Sequence, residues 1–463
     1  MPFLQVGNSS LPSFPLCKNP RRGLPNAPFH RRVLPQLETS RRKLKTWYFV
    51  LEGLNSFSTV LYCYYLYFFM AKAFGFDNRA NLTLAALNGF ICIFAAWWGG
   101  RFAQRFGNFR ALKFGFFTMM TALATGLLIH SVNGHVFVMA VMLIGMCFTW
   151  PTLEAMVSEG ETSEGTQKML GIYNVVWAGT GALANFIGGM MLDKLGLKSI
   201  FYVPATIQFI QLVIAIWLAR RAQVYSLIQL LVPALSSSDE GRDIGEQGLG
   251  GEGNVRASAV SRETQRIAAP ELNPRPIAKA KWFLRMAWLA NPFAYIALNT
   301  VIAVVPGVAN KLGLSATLAG FSCSVWSFAR FGAFFGLWAW SGWHYRFRWL
   351  LSAYLALLIT FALIVLAPNL AVLVIAQIVF GGALGLIYYS SLFYSMDLSE
   401  TKSEHGGIHE AAIGFGNFAG PAVAASSLYF LPQYPNAGVF GVCILLLGGL
   451  GALLAMRGRM GVP

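Results

Sequence analysis

One arginine stands alone inside an apolar run, Ser324-Val-Trp326-Ser-Phe-Ala-Arg330-Phe-Gly332. A guanidinium in hydrocarbon costs about 3 kcal/mol or more unless it is paired or faces water, so such a residue is read first as a working group. Its planar fork of N–H donors suits a carboxylate, sulfate or phosphate. The competing reading is a fixed ion pair or carbonyl clamp between helices. No acidic residue lies at a matching depth along the sequence, which favours an anionic ligand.

Polar and aromatic residues in other apolar runs supply the remaining candidates. Asn55, Asn88, Asn185, Asn299 and Asn417 must each find a hydrogen-bond partner on another helix or in a wet cavity. Trp326 and the deep-lying Trp150, Tyr388 and Tyr389 can stack against a solute or pack a core. In the cluster Tyr62-Cys-Tyr-Tyr-Leu-Tyr67, the residues Tyr64 to Tyr67 read as interfacial belt anchors. Glu52, Glu154 and Glu410 lie within a turn or so of helix ends and read as solvated or latch residues, because a proton carrier needs burial that sequence does not display. His344 and His409 stand alone, and no spacing of ligands suits a metal. The chain has no Walker loop and no nucleophile motif, so neither ATP drive within the chain nor an enzyme is expected, and no catalytic residue is assigned.

Composition dictates the elements that must carry these residues. Of 463 residues only 12% are charged. With glycine counted in and tyrosine left out, roughly 63% are apolar, against about 45–50% in soluble domains. A soluble enzyme is thereby excluded, since too few polar residues remain to cover a surface. The net charge of +16 does not indicate nucleic acid, because the basic residues lie between apolar blocks rather than on one face. The six cysteines are widely spaced, with no CxxC pair, and read as reduced small hydrophobes.

Crossing about 30 Å of hydrocarbon takes about 20 apolar residues per helix. Twelve stretches qualify, near 47–72, 82–100, 111–131, 135–157, 168–192, 197–219, 283–307, 315–341, 349–367, 369–396, 406–431 and 436–456. They are continuous rather than alternating, which excludes a barrel. With the N-terminus inside, 29 of the 35 Lys and Arg fall on the inner side and 5 on the outer, leaving Arg330. The positive-inside rule therefore predicts an even number of spans in the plasma (inner) membrane, both ends cytoplasmic. The expected plan is a Pro/Arg-rich disordered tail (1–46), a six-helix bundle (47–219), a cytoplasmic linker with a disordered middle (220–282), a second six-helix bundle (283–456) and a short tail (457–463). Val224 to Leu235, at the head of that linker, is apolar enough to extend the sixth helix along the membrane surface.

The halves look related. A shift of 236 residues superposes Asn55-x-Phe57 on Asn291-x-Phe293, Gly100 on Gly336, Arg110 on Arg346, and Gly171-Ile172 on Gly407-Ile408. These matches fall at corresponding helix ends, and parallel six-helix repeats are a known transporter plan.

The second loop reads Gly100-Arg-Phe-Ala-Gln104-Arg105-Phe-Gly107-Asn-Phe-Arg110. It resembles the Gly-x-x-x-Asp-Arg-x-Gly-x-x-Arg signature of the major facilitator superfamily. Helix five (Gly171 to Gly181, then Gly188-Gly189) and helix eleven (His409-Glu410 to Gly420-Pro421) add glycine-rich faces similar to those of that family. The resemblance implies an all-α polytopic fold of twelve transmembrane helices in two six-helix bundles, and alternating-access transport of a small, polar or anionic organic solute. It also implies that the first helix lines the cavity. Arg330, Asn55, Tyr389, Tyr388, Trp150, Asn417 and Trp326 are then expected at the substrate. Gly100, Gln104, Arg105, Gly107, Arg110 and Glu410 are expected to form a cytoplasmic latch, weakened because Gln104 replaces the family's Asp. No cofactor is expected, with proton or other ion coupling left open. The partners are the solute and the lipid bilayer, no nucleic acid, and the protein reads as a monomer. The alternative function is a receptor or assembly scaffold that keeps the fold and acts through its tail and central loop.

Overall fold

The structure is a computed structural model that describes residues 29–161, 163–243, 274–340, 342–398 and 402–459. Among them are thirteen helices and no strand: α1 (Phe29–Phe74), α2 (Asn78–Phe106), α3 (Asn108–Gly126), α4 (Val132–Ser158), α5 (Ser163–Leu195), α6 (Ser199–Asp243), α7 (Pro274–Lys311), α8 (Ala316–Cys323), α9 (Val325–Ala339), α10 (Phe347–Val365), α11 (Leu370–Leu398), α12 (Lys402–Phe430) and α13 (Ala437–Arg459). The eighth crossing is built from α8 and α9, so thirteen helices make twelve crossings. Eight described helices are long and apolar enough to cross a membrane on length and composition alone. Of the described residues, those from Leu44 onward form one compact unit, separate from 29–43.

Three boundaries differ from expectation. α1 begins at Phe29, so 29–46 is helical; its Leu, Arg, Lys and Gln are good helix formers. α6 runs on to Asp243 and α7 starts at Pro274, so both helices extend well into the expected linker, and 244–273 lie outside the described residues. The eighth stretch breaks at Ser324. There the Ser324 hydroxyl donates to its own helix at Phe321 O (2.9 Å), while Gln377 of α11 donates to Ser322 O (2.8 Å), the carbonyl that would otherwise accept from Trp326 N–H. A side chain inserted into the ladder in this way is a standard cause of a helix break.

The internal repeat holds in three dimensions. Shifted by 236 residues, the starts of α2 to α6 fall within two or three residues of the starts of α8, α10, α11, α12 and α13. Short connections within each half force neighbouring crossings antiparallel; the side on which the first crossing begins and the last one ends is called here the tail face, and the other the far face. The outward surface is apolar, as a lipid-facing surface must be, with Phe94, Phe209, Ile375 and Ile444 all exposed.

Without a hydrophobic drive between helices in lipid, close packing has to come from small residues. Across the halves, α2 lies along α12 and α5 along α8 and α9. Gly89 rests on the Asn417 and Phe418 backbone, Gly189 on Ala316 O, and Gly414 against Ile93. Within the second half, Gly416 and Gly420 pack on the backbone of α7 at Pro292 and Ile296.

Candidate functional site

Arg330 is buried on α9, with 7% exposure. Its guanidinium carbon stands 4.4 Å from the ring centre of Trp177 and 4.9 Å from that of Trp326. Trp326 is one turn back on the same helix, whereas Trp177 comes from α5 in the other half. Tyr64 of α1 lies beside the guanidinium, and its ring is 5.9 Å from Trp326. Two elements of the first half therefore hold one cation of the second. Nε is buried without a hydrogen-bond partner. Among the described residues no carboxylate pairs with Arg330; the ion pairs are Lys45–Glu161 and Lys72–Asp193. Desolvated cation–π contacts contribute about 2 kcal/mol each, enough to hold a guanidinium here but not to use up its donors.

Towards the tail face the seam becomes an aromatic stack. Trp177 lies nearly parallel to Tyr388 (5.7 Å, 21°) and to Phe334 (6.2 Å, 25°). Tyr388 also meets Tyr295 at 6.4 Å, and Tyr389 meets Phe334 at 5.9 Å and Trp343 at 5.7 Å. Tyr388 and Tyr389 thus line the seam directly, as does Trp326.

The other expected substrate residues are more dispersed. Asn55 is fully buried on α1, donates to Thr149 Oγ1 of α4 at 3.2 Å, and leaves its Oδ1 without a partner. Trp150 is half-buried with an unpartnered Nε1. Asn417 accepts a hydrogen bond from Asn299 Nδ2 and packs its backbone on Gly89, so it belongs to the glycine-packed part of the interface. Asn185 donates to Ser327 Oγ across the halves at 3.1 Å. Asn88 accepts from Cys92 within its own helix.

Two expectations need correction. Glu52 is fully buried, not solvated, and among the described residues its carboxyl has no partner other than Tyr173. It sits where α1 meets α4 and α5, facing Tyr173 and Glu154, and Tyr173 in turn faces Tyr388 of the other half. Glu154 is half-buried. The error came from reading depth off the apolar run, which ignores neighbouring helices that cover a residue near a helix end. Tyr65 and Tyr67 are likewise buried rather than belted at an interface, and Tyr65 donates to Asn185 O. α1 is packed on all sides at that level.

The signature loop is exposed. Gln104, Arg105 and Arg110 face outward on the tail face, and Gly100 has open space where a Cβ would be. Gly107, at φ +94°, ends α2 and starts α3, a conformation that requires glycine. Arg101 lies over Trp97 at 3.8 Å and Arg105 over Phe106 at 5.4 Å. The side chain of Glu410 lies outside the described residues. In the second half the matching loop is an aromatic plug. Trp343 is buried against Tyr389, Phe393 and Tyr394, and Tyr345, at φ +52°, donates its N–H to the Tyr394 hydroxyl at 2.9 Å.

On the far face the halves are fastened by polar contacts. Asp193, at the end of α5, accepts from both the N–H and the hydroxyl of Thr317 at 2.7 Å, which caps α8 from the opposite half, and Lys72 lies 3.5 Å from the same carboxylate.

Trp177, Tyr64, Tyr173 and Phe334 were not among the expected site residues. One signal was available: Tyr173, Trp177 and Gly181 recur at four-residue spacing and so share one face of α5.

Fold and seam define a polytopic all-helical membrane protein whose two related halves meet around a buried cation. The sequence profile of the Major Facilitator Superfamily matches residues 48–421, and the chain belongs to that superfamily. Solved structures with the same fold include the peptide transporter POT in complex with sulfate, at 16% identity, covering 90% of this chain and 95% of that one with a TM-score of 0.62. A POT family transporter in complex with 5-aminolevulinic acid is 14% identical, covering 91% and 97%, with a TM-score of 0.62. The nucleoside transporter NupG is 12% identical, covering 90% and 98%, with a TM-score of 0.57. A search of curated protein sequences gives no match. At these identities the likeness establishes the transporter fold.

Proposed function

We propose that this chain is a non-enzymatic secondary transporter, active or facilitative, that moves a small organic solute bearing an anionic group by alternating access. The observation that carries the reading is Arg330: a buried guanidinium at the seam between the halves, held by Trp177, Trp326 and Tyr64, with no carboxylate beside it among the described residues. A solute anion that pairs with Arg330 supplies the missing counter-charge and touches both halves at once, so binding is tied to their relative motion. Tyr388 and Tyr389 orient the rest of the solute, with Asn55, Trp150 and Trp326 as further contacts. Asp193 on Thr317 and Gly189 on Ala316 fasten the far face; the latch on the tail face is Gly100 to Arg110 with Glu410, which lies about two turns inside α12 rather than at its start. The inner-side excess of Lys and Arg supports a cytoplasmic tail face in the plasma (inner) membrane. The protein acts as a monomer in lipid, without a bound cofactor.

The test is a thermal-shift panel on detergent-purified protein, run beside Arg330→Gln, spanning organic acids, sugar phosphates, neutral sugars, amino acids and lipophilic cations. Stabilisation by an anion that vanishes in the variant is expected. Stabilisation only by neutral or cationic compounds, with the variant simply melting lower, makes Arg330 a structural clamp and ends the anion reading.

A further inference from the structure

The seam carries a second charged group that nothing in the proposed function uses. Glu52 is fully buried, and among the described residues its carboxyl has no partner other than the Tyr173 hydroxyl that faces it. The groups that face it are the Tyr173 hydroxyl and a second carboxylate, Glu154. The lysine nearest along α1, Lys45, lies two turns away and is occupied by Glu161 and Val157 O. Among the described residues two carboxyls, one fully buried and one half-buried, face each other with no cation beside them, and such an acidic pair is a ready acceptor for a positive partner.

This acidic pole and Arg330 are linked through the seam. On α5, Tyr173 faces Glu52, and Trp177, four residues on, lies under Arg330. On α1, Glu52 and Tyr64 mark the same two poles. At the rise of an α-helix Tyr173 and Trp177 stand about 6 Å apart along α5, and Glu52 and Tyr64 about 18 Å apart along α1. The Trp177–Tyr388–Phe334 stack fills the interval with flat apolar faces.

Resting on the reading of Arg330 as the anion site, we infer that the transported solute is bipolar: an extended molecule whose anionic end meets Arg330 and whose ammonium end meets Glu52 and Glu154, its middle lying on the Trp177–Tyr388 stack. The negative pole belongs to the first half and the positive pole to the second. One bipolar molecule therefore satisfies both and draws the halves together, while a single charge leaves one pole open.

The experiment uses the purified full-length chain and measures thermal stabilisation by ω-amino acids of increasing chain length, against monocarboxylates and primary amines of matched chain. Wild type, Glu52→Gln, Glu154→Gln and Arg330→Gln are compared at two pH values. For wild type we expect an optimum chain length at which the ω-amino acid binds about tenfold or more tighter than the matched monocarboxylate, the range of one charge-assisted hydrogen bond. That advantage should disappear in Glu52→Gln and shrink in Glu154→Gln, while the residual binding of monocarboxylates persists. Equal binding of the two series in wild type overturns the inference. So does a preference for amino acids that survives both glutamate variants. If acidification alone raises monocarboxylate binding to the amino-acid level, and Glu52→Gln removes that gain, the positive charge is a proton and the bipolar solute is rejected. Carboxylate binding that persists in Arg330→Gln instead defeats the reading of the anion site, a failure distinct from the others.

Discussion

The interface between the halves is made in two different ways. Along α2–α12 and at the far ends of α5 and α8 it is backbone on backbone: Gly89 under Asn417, Gly189 under Ala316 O, and a carboxylate capping the opposite helix. Around Arg330 it is side chain on side chain, a cation between two indoles followed by a stack of rings. The first kind has no slack, because a single added methyl meets a carbonyl. The second is built from contacts that a ligand can replace in kind, an anion for a π-face or one ring for another. Rigid fastening and exchangeable contact are thus divided along one interface, which is what a rocking transporter requires.

Substitutions that erase this division should have the largest effects. Gly189→Val places atoms into Ala316 O and should abolish closure of the far face, lowering solute flux about 100-fold, equivalent to about 3 kcal/mol of overpacking; Gly451→Val, on an exposed face of α13 where space is open, is the matched control. Wild-type flux in Gly189→Val would show that this seam is not tight. Arg330→Lys keeps the charge but loses the planar fork and ring stacking, and should weaken anion-dependent stabilisation about tenfold, read as a shift in half-saturating concentration. Trp177→Leu removes one π-face and should lower the melting temperature of the unliganded protein by the equivalent of about 1–2 kcal/mol. Asp193→Asn should loosen the far face by about 0.3–1 kcal/mol, detected as faster hydrogen exchange of the Thr317 amide than in the wild-type protein. The smallest change is expected from Gln104→Asp, which restores the family's acid in the exposed loop and should strengthen the tail-face latch by at most about 1 kcal/mol; slower solute release on that side is the readout.

Much of the fold was legible because membrane helices obey two strong rules, unbroken apolar length and the placement of Lys and Arg. The twelve crossings follow from them, the 236-residue repeat was read from matched residues at helix ends, and Arg330 stood out because a lone intramembrane cation violates the first rule. What stayed hidden depends on neighbours. Glu52 lies near a helix end by sequence, yet α4 and α5 cover it. Tyr64 reads as an interfacial tyrosine until α9 brings Arg330 beside it. The break at Ser324 is invisible in its own segment, because the group that takes Ser322 O comes from Gln377, 55 residues on. The glycine faces on α5 and α12 were readable as close-packing surfaces, but their partners were set by topology alone.

The central claim, that solute crosses between the halves under the control of Arg330, is tested most directly by reconstitution. The anion that best stabilises the wild-type protein is radiolabelled, and its counterflow into proteoliposomes is compared for wild type and Arg330→Gln. The account predicts saturable counterflow with wild type and background accumulation with the variant. Tight binding by wild type with no counterflow at all would contradict it and point to a receptor or scaffold on a transporter fold.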